Sequence, residues 1–405
     1  MKNFILYIGI LIYIFLSTSV AAKIGIGMVG TFSSLIIVLL FIHKIIEQDF
    51  DQLFRRFKTE FLIIAIGLFI MLLKYALGDI QAIKQVLFFI LVPMILSILI
   101  KTKDGFTKNK LRNIVLFFFV SECLLAIFER TSGINVFPYV QELSDSISTP
   151  AWDFRSTAFL GHPLGNALVV STIMGFVLTT SMNIRNKLFF VLLGFVALLC
   201  FNARGASLAW FVLAFIYLIY ILVNSRRLKI SPFFIIGFSI IGACFLGYLM
   251  IEYGFGGRLL HSDILDGSAQ TRLDVFQAFS FINSSDFWLG NSSNYLNVTE
   301  KLGAAGVENS YVVIILNYGI VMFLLLFVAY FFWMNRLLNT YTLFHKFLII
   351  ASFIVVGSMN NALAGDMPWG FFIICVHSFP FLGKSEVKQI IITQNLINTK
   401  TPIIR

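Results

Sequence analysis

The chain has 405 residues, of which 59% are hydrophobic and only 12% are charged, and its mean hydropathy is +0.90. Soluble domains typically carry about 25% charged residues, so this composition excludes an ordinary soluble protein. The formal net charge is +10. Its distribution along the chain distinguishes nucleic-acid binding from membrane topology as the cause.

Apolar runs long enough to cross roughly 30 Å of hydrocarbon recur along the whole chain. In lipid such runs form helices, because every backbone polar group then finds a partner inside the same segment. The sequence therefore predicts an all-α polytopic membrane protein that forms a single transmembrane domain over residues 1–405. The twelve predicted spans cover residues 4–22, 24–43, 61–77, 82–100, 114–130, 161–180, 188–203, 205–223, 232–251, 311–333, 347–363 and 368–382.

The basic residues divide unevenly between the two sides of this predicted topology. With the N-terminus in the cytoplasm, the cytoplasmic segments hold 21 of the 30 lysines and arginines and 6 of the 20 acids. The cytoplasmic side is then +15 and the outer side −5, as the positive-inside rule expects. We therefore expect both termini in the cytoplasm, and the positive net charge indicates membrane topology rather than nucleic-acid binding.

Two segments on the outer side are long, residues 131–160 and residues 252–310. Loops of this length in a compact bundle usually have a function or are disordered. The second contains "RLDVFQAFSFI", where Leu273, Phe276, Phe279 and Ile282 recur at helical spacing. This pattern predicts an amphipathic helix on the outer surface.

Four arginines lie on this acidic side, at the outer ends of spans or in the long segments: Arg155, Arg204, Arg258 and Arg272. Arg204 is the most informative, because it occupies the tight turn between the seventh and eighth spans, where a charge needs an anionic partner. Each arginine alone is also explained by snorkelling or by an ion pair with a loop acid. Together they favour an anion site, since guanidinium offers paired donors to phosphate. In a membrane protein this suggests a lipid-linked phosphate or pyrophosphate.

Polar residues also stand at the outer ends of the sixth and tenth spans. "GHPLGNALVV" places His162 and Asn166 at a helix start, where anions are attracted. His162 is either an anion ligand or proton carrier, or a hydrogen-bonded interfacial residue. "GVENSYVVIILNYGIV" places Glu308 and Asn309 before the tenth span. Asn309 fits a helix cap, whereas Glu308 fits either a cap or a general base for a sugar hydroxyl.

The cysteines give no sign of a disulfide framework or a zinc site. All four lie within predicted spans and none are paired in spacing, at Cys123, Cys200, Cys244 and Cys375. We expect neither a metal nor a cofactor.

Three segments together resemble the O-antigen polymerase and ligase superfamily. "RSTAFLGHPLGNALVV" resembles its Arg-Gly-Pro-Asn segment, "FNARGASLAW" its Ser-Arg-Gly turn, and "RLDVFQAFSFINSSDFWLGNSSNY" with "GVENSYVVIILNYGIV" its last loop. The resemblance covers about residues 150–335. It implies a GT-C-like bundle in the bacterial inner membrane and a metal-independent glycosyltransferase with its active site facing the periplasm.

The resemblance also implies partners and roles for individual residues. Donor and acceptor would be undecaprenyl-pyrophosphate-linked oligosaccharides, a chain-length regulator is a possible protein partner, and nucleic acid is not expected. Arg155, Arg204 and Arg272 would bind the pyrophosphate, with Arg258 a possible addition. Ligases of this family commonly place a histidine base where this chain has Glu308, so a Wzy-type polymerase of capsule or O-antigen is favoured over an O-antigen ligase.

A lipid-linked oligosaccharide flippase or another transporter is the alternative from a different class. It predicts charged residues in the middle of spans and repeated halves. Lys74, Lys84 and Glu122 are the nearest candidates, and the two lysines are also explained as snorkelling side chains around a short outer loop.

Overall fold

Helices follow one another along the whole computed structural model, which describes residues 2–25, 29–138, 151–180, 182–224, 231–261, 274–302, 306–365 and 367–379. These residues contain no strand. The helices are α1 (Lys2–Phe15), α2 (Thr18–Lys23), α3 (Val29–Glu47), α4 (Phe50–Arg56), α5 (Lys58–Ala76), α6 (Ile80–Lys101), α7 (Gly105–Ser132), α8 (Pro163–Thr179), α9 (Ile184–Cys200), α10 (Arg204–Val223), α11 (Pro232–Glu252), α12 (Gly257–His261), α13 (Ser284–Leu289), α14 (Ser293–Leu302), α15 (Ser310–Leu337), α16 (Leu343–Ser358) and α17 (Met367–Ser378).

Six of these helices are long and apolar enough to cross a membrane, namely α5, α6, α7, α10, α11 and α15. Shorter apolar helices include α8, α16 and α17. The all-helical prediction is confirmed for the described residues, and the architecture is consistent with a polytopic membrane protein. Twelve crossings, a GT-C-like bundle and the orientation of the termini stay predictions.

The centre of the molecule is built around α8 and α17. The short helix α17 contacts α1, α6, α7 and α8, and its side chains from Pro368 to Ser378 are all buried. Helices at the periphery of the bundle instead expose large apolar side chains, such as Phe233 on α11 and Phe332 on α15. Such an apolar exterior is unfavourable in water and suits contact with lipid.

Helix α15 is interrupted within its first half. Gly319 has a left-handed backbone (φ 80°), and the outer segment before α14 runs across this break. Asn291 N donates to Leu316 O over 2.8 Å. A Cβ on Gly319 would lie 2.2 Å from Trp288 O, so only glycine allows this close approach.

The amphipathic helix expected around residues 272–282 is wrong in its type and only partly right in its buried face, since Phe279 and Ile282 pack against a small core as expected but Phe276 does not. Val275–Phe281 is a 3₁₀ helix, in which residues three apart lie on the same side. Val275 and Ala278 are therefore fully buried, whereas Phe276 is 60% exposed. The buried pair joins a small second core with residues of α14 and α15, including Val298 and Val312. Leu273 lies outside the described residues.

Lys74 does not snorkel, contrary to one explanation offered by the sequence. Its side chain is completely buried, and Nζ donates to Leu289 O (2.9 Å) and Gly290 O (2.7 Å). Asp79 Oδ2 lies 3.7 Å from the same Nζ. The carbonyls of the outer segment thus replace the water that a snorkelling ammonium would seek.

Candidate functional site

The turn between α9 and α10 places Arg204 and organises its surroundings. Helix α9 ends at Cys200 and α10 begins at Arg204, so the predicted tight turn is confirmed. Asn202 within it has a left-handed backbone (φ 53°), which asparagine tolerates better than most residues. Its side-chain amide donates to Trp152 O (2.9 Å), and its Oδ1 accepts from Arg258 N (3.1 Å). One side chain therefore binds the two segments that carry Arg155 and Arg258.

Three of the four arginines predicted to form an anion site line one small pocket, which we call the arginine pocket. The residues around it are Arg155, Leu164, Ala167, Asn202, Ala203, Arg204, Gly205, Ala206, Arg258, Val356, Met359 and Asn360. Each of the three arginines is partly buried, and Arg258 Nε lies 3.1 Å from Asp153 Oδ1. Arg272 lies outside the described residues. The structure thus brings together side chains up to about a hundred positions apart, and their pyrophosphate-binding role stays a prediction.

Charged residues at the outer end of α7 hold the segment that carries Arg155. The Glu129 carboxylate accepts from Val136 N (2.6 Å), Thr157 N (2.8 Å) and Ala158 N (2.8 Å). Glu122 Oε2 accepts from Phe159 N (3.1 Å). Both glutamates are fully buried. Buried carboxylates need several hydrogen bonds, and three backbone amides supply them to Glu129.

Arg130 connects the two outer segments directly. Its guanidinium donates to Phe154 O (2.7 Å), beside Arg155, and also to Gly254 O, four residues before Arg258. Sequence reasoning did not assign Glu129 and Arg130 to the site. The signal available was the spacing of Glu122 and Glu129, seven residues apart on one face of an apolar helix.

The start of α8 brings His162 towards Glu308. His162 caps the helix, and its Nδ1 accepts from Gly165 N over 3.3 Å. Burial lowers the pKa of His162, and the negative charge of Glu308 partly opposes this shift, which places the two side chains within electrostatic reach. Because Nδ1 accepts a hydrogen bond, a neutral His162 carries its proton on Nε2.

Asn166 acts in the framework of the site. It is fully buried, and its Nδ2 donates to Thr157 O within the Arg155 segment. Asn166 does not itself line the arginine pocket, although its neighbours Leu164 and Ala167 do, and its supporting role in the site stays a prediction.

Residues 308–310, at the start of α15, make different contacts. Asn309 caps the helix, and its Oδ1 accepts from Tyr311 N (3.0 Å) and Val312 N (3.2 Å). Ser310 Oγ donates to Asn360 O (2.7 Å) and accepts from Leu363 N (3.0 Å). Asn309 therefore supplies the helix cap, and the neighbouring Glu308 is partly buried.

Asn360 joins these residues to the arginine pocket. It lines that pocket, and its Nδ2 donates to Leu164 O of α8 over 3.4 Å. Its carbonyl oxygen accepts from both Ser310 N (2.9 Å) and Ser310 Oγ. Asn360 therefore connects the start of α15, directly after Glu308, with α8 at the edge of the arginine pocket.

A long groove lined by apolar side chains begins at Tyr311, near the start of α15. We call it the apolar groove. Its volume is about 590 Å³, and it runs along α15 from Tyr311 at the outer end to Asn335 near the opposite end. Ile354, Val355 and Leu363 line the groove, while Val356 and Asn360 line the arginine pocket. The end of α16 and the residues directly after it therefore line both the apolar groove and the arginine pocket.

No protein-family model matches the chain, and no curated protein matches it either. Proposals about its chemistry therefore rest on its own residues and their arrangement.

Proposed function

We propose that this protein is a membrane-embedded polysaccharide polymerase that transfers a growing glycan from undecaprenyl pyrophosphate to a lipid-linked repeat unit. The observation that supports this proposal most strongly is the convergence of Arg155, Arg204 and Arg258 on one pocket, which Asn360 connects to the start of α15 directly after Glu308. Guanidinium groups match the oxygen geometry of phosphate, and the neighbouring carboxylate can accept a proton.

The apolar groove supports a lipid-linked substrate. A donor of this kind combines a charged pyrophosphate with a long hydrocarbon chain, so it needs a cationic site and an apolar site side by side. Here both are lined by the end of α16 and the residues directly after it. The apolar groove would receive the hydrocarbon while the arginine pocket holds the headgroup.

The reaction requires little beyond this arrangement. The acceptor hydroxyl oxygen forms a bond to the anomeric carbon while the bond from that carbon to the pyrophosphate oxygen breaks. Glu308 takes the hydroxyl proton, and the pyrophosphate leaves with the bonding electron pair. The arginines stabilise the negative charge that develops on it, and fixed charges of this kind typically supply the largest part of catalysis.

His162 acts as a hydrogen-bond donor in this scheme. Its Nδ1 accepts from Gly165 N, so in the neutral ring the proton is on the other nitrogen, Nε2. The base is therefore assigned to Glu308. Glu308→Gln and Glu308→Ala should both stop transfer without loss of folded protein, whereas activity retained in Glu308→Gln would show that the carboxylate is not the base.

The decisive experiment supplies detergent-purified protein with lipid-linked repeat units and resolves the products on a gel. A ladder of longer lipid-linked glycans is expected from the wild type. Arg204→Ala should abolish the ladder, and Arg204→Lys should weaken it strongly because lysine lacks the paired donors. Arg185→Ala, at an exposed arginine at the start of α9, is the matched control and should leave the ladder intact.

Two other outcomes would replace the proposal. Transfer only to lipid A core would make the protein an O-antigen ligase. Movement of intact units across a vesicle membrane, with no new bond formed, would make it a flippase.

A further inference from the structure

A second, polar groove lies on the outer face, between the α5–α6 turn and the segment around α13. We call it the outer groove. Its volume is about 570 Å³, within the range of about 300–1,000 Å³ found for small-molecule sites. The residues that line it are Leu77, Gly78, Asp79, Ile80, Gln81, Ser285, Asp286, Leu289, Gly290, Asn291, Ser292 and Ser293.

A buried ion pair holds the two walls of the outer groove together. Lys74 Nζ donates to Leu289 O and Gly290 O of one wall and lies 3.7 Å from Asp79 Oδ2 of the other. Asp79 in turn accepts from Ser292 N over 2.9 Å and from Ser292 Oγ. Removing two charges from water is expensive, so this contact is an unusual way to attach a surface loop.

The outer groove is also fixed to the helix that carries the catalytic candidates. Gly290 packs against the break of α15 so closely that a Cβ on it would lie 2.3 Å from Gly319 N. Asn291 N donates to Leu316 O in the outer half of the same helix. That half begins at Ser310, directly after Glu308 and Asn309. Movement of the groove relative to Glu308 is thereby restricted.

The lining has the chemistry of a carbohydrate site rather than a phosphate site. Gln81, Asp286 and Asn291 offer amide and carboxylate groups, and Ser285 and Ser293 offer hydroxyls. The described lining contains neither arginine nor lysine, and the Lys74 ammonium lies behind it, bonded to carbonyls. Carboxylates repel a pyrophosphate but accept hydrogen bonds from sugar hydroxyls, which are strongest when the acceptor is charged.

We propose that the outer groove binds sugar residues of the glycan while the lipid pyrophosphate occupies the arginine pocket. The substrate class rests on the proposed function, since it assumes that the arginine pocket takes a lipid-linked glycan. The outer groove then holds sugar residues away from the reacting bond, and it favours longer chains because they make more contacts.

Chemical protection tests the proposal without any transferase activity. Ser285→Cys is made in a Cys244→Ser background, because Cys244 is the exposed native cysteine among the four. The probe is a set of oligosaccharide fragments released from the cell's own surface polysaccharide. Fragments should slow maleimide labelling of Ser285→Cys in a saturable way, while labelling of the exposed Glu300→Cys on α14 stays unchanged. Equal labelling of Ser285→Cys with and without fragments would overturn the proposal.

Two substitutions in the groove lining then test its chemistry. Asp286→Ala should raise the fragment concentration needed for protection about tenfold, which corresponds to about 1.4 kcal/mol, because it removes a charged hydrogen-bond acceptor. In the polymerisation assay the same variant should give shorter chains, and Glu300→Ala should give chains of wild-type length.

A wild type that makes no ladder but is protected by fragments would remove the polymerase function and keep the glycan site. A normal ladder from the wild type without protection by fragments, and with unchanged chain lengths in Asp286→Ala, would keep the polymerase function and remove the glycan site.

Discussion

At the scale of single residues, the site depends on side chains that fix backbone segments as much as on the arginines that line it. Asn202 shows this most clearly, because it contacts Trp152, Phe154 and Arg258 from a left-handed turn. The sequence drew attention to Arg204 because a charge in an apolar turn stands out. Asn202, two positions earlier, gives no comparable signal, since its role depends on partners about fifty residues away.

Substitution of Asn202 should reveal the two parts of this role. Asn202→Gly keeps the left-handed turn but loses the side-chain hydrogen bonds, which should lower the free energy of unfolding by about 1–3 kcal/mol. Asn202→Ala loses the same bonds and adds about 1–2 kcal/mol of backbone strain. Apparent melting temperatures in detergent should therefore fall in the order wild type, Gly, Ala. Equal values for Gly and Ala would show that the turn is not left-handed.

The free energy of unfolding should depend on pH partly through His162. Burial lowers its pKa in the folded protein relative to about 6.5 in the unfolded chain, with Glu308 partly opposing the shift. The unfolded state therefore binds more protons in this range, so the contribution of His162 is complete above about pH 6.5 and declines as the pH falls towards the folded pKa.

We expect His162→Asn, which keeps a capping side chain, to show a flatter loss of stability between about pH 7 and 5 than the wild type. His43→Asn, at an exposed histidine on α3, is the control and should follow the wild-type curve. A wild-type slope in His162→Asn would contradict the assigned burial of the imidazole. Melting curves across this pH range provide the measurement.

At the scale of elements, hydropathy located the helices but did not reveal how they are interrupted or joined. Each of the twelve predicted spans overlaps a described helix, and six of these helices are long and apolar enough to cross a membrane, because the apolar composition of a segment is a local property. The break at Gly319 is a tertiary feature, since it exists where the segment around Gly290 crosses α15. A glycine within an apolar run alone does not distinguish a break from a close helix contact.

Alanine substitutions should destabilise the protein at Gly290 and Gly319 but not at a glycine inside an ordinary helix. Gly319→Ala and Gly290→Ala each place a Cβ within 2.3 Å of backbone atoms at a positive φ, so we expect each to lose more than about 1–3 kcal/mol of stability. Gly237→Ala in α11 is the control, because nothing lies within 4 Å of its Cβ. It should be neutral or gain up to about 1 kcal/mol from helix propensity. Thermal unfolding of the three purified variants measures the difference, and a tolerated Gly319→Ala would contradict the described crossing.

At the scale of the whole molecule, the charge distribution predicts an orientation. The outer side should contain the arginine pocket and the outer groove, and the cytoplasmic side should contain the connection between α3 and α4. This assignment matters for function, because lipid-linked repeat units would then be used on the outer face only.

Labelling of single cysteines tests the orientation. In a Cys244→Ser background, an impermeant maleimide added to intact spheroplasts should label Glu300→Cys on α14. Gln48→Cys, which is exposed between α3 and α4, should react only after the membrane is permeabilised. Labelling of Gln48→Cys alone in intact spheroplasts would reverse the topology and place the arginine pocket in the cytoplasm.

The sequence by itself determined that the chain is helical and suited to lipid, and it drew attention to the arginines of the candidate site. Lipid imposes helices on any long apolar run, and an arginine on an acidic outer side stands out in any sequence. The tertiary structure alone decided the rest: the convergence of Arg155 with Arg258, the backbone contacts of Glu129 and Arg130, the burial of Lys74 and the two grooves. Composition and spacing record what each residue prefers, whereas Lys74 and Leu289 meet across more than two hundred positions only because the helices between them pack into one arrangement.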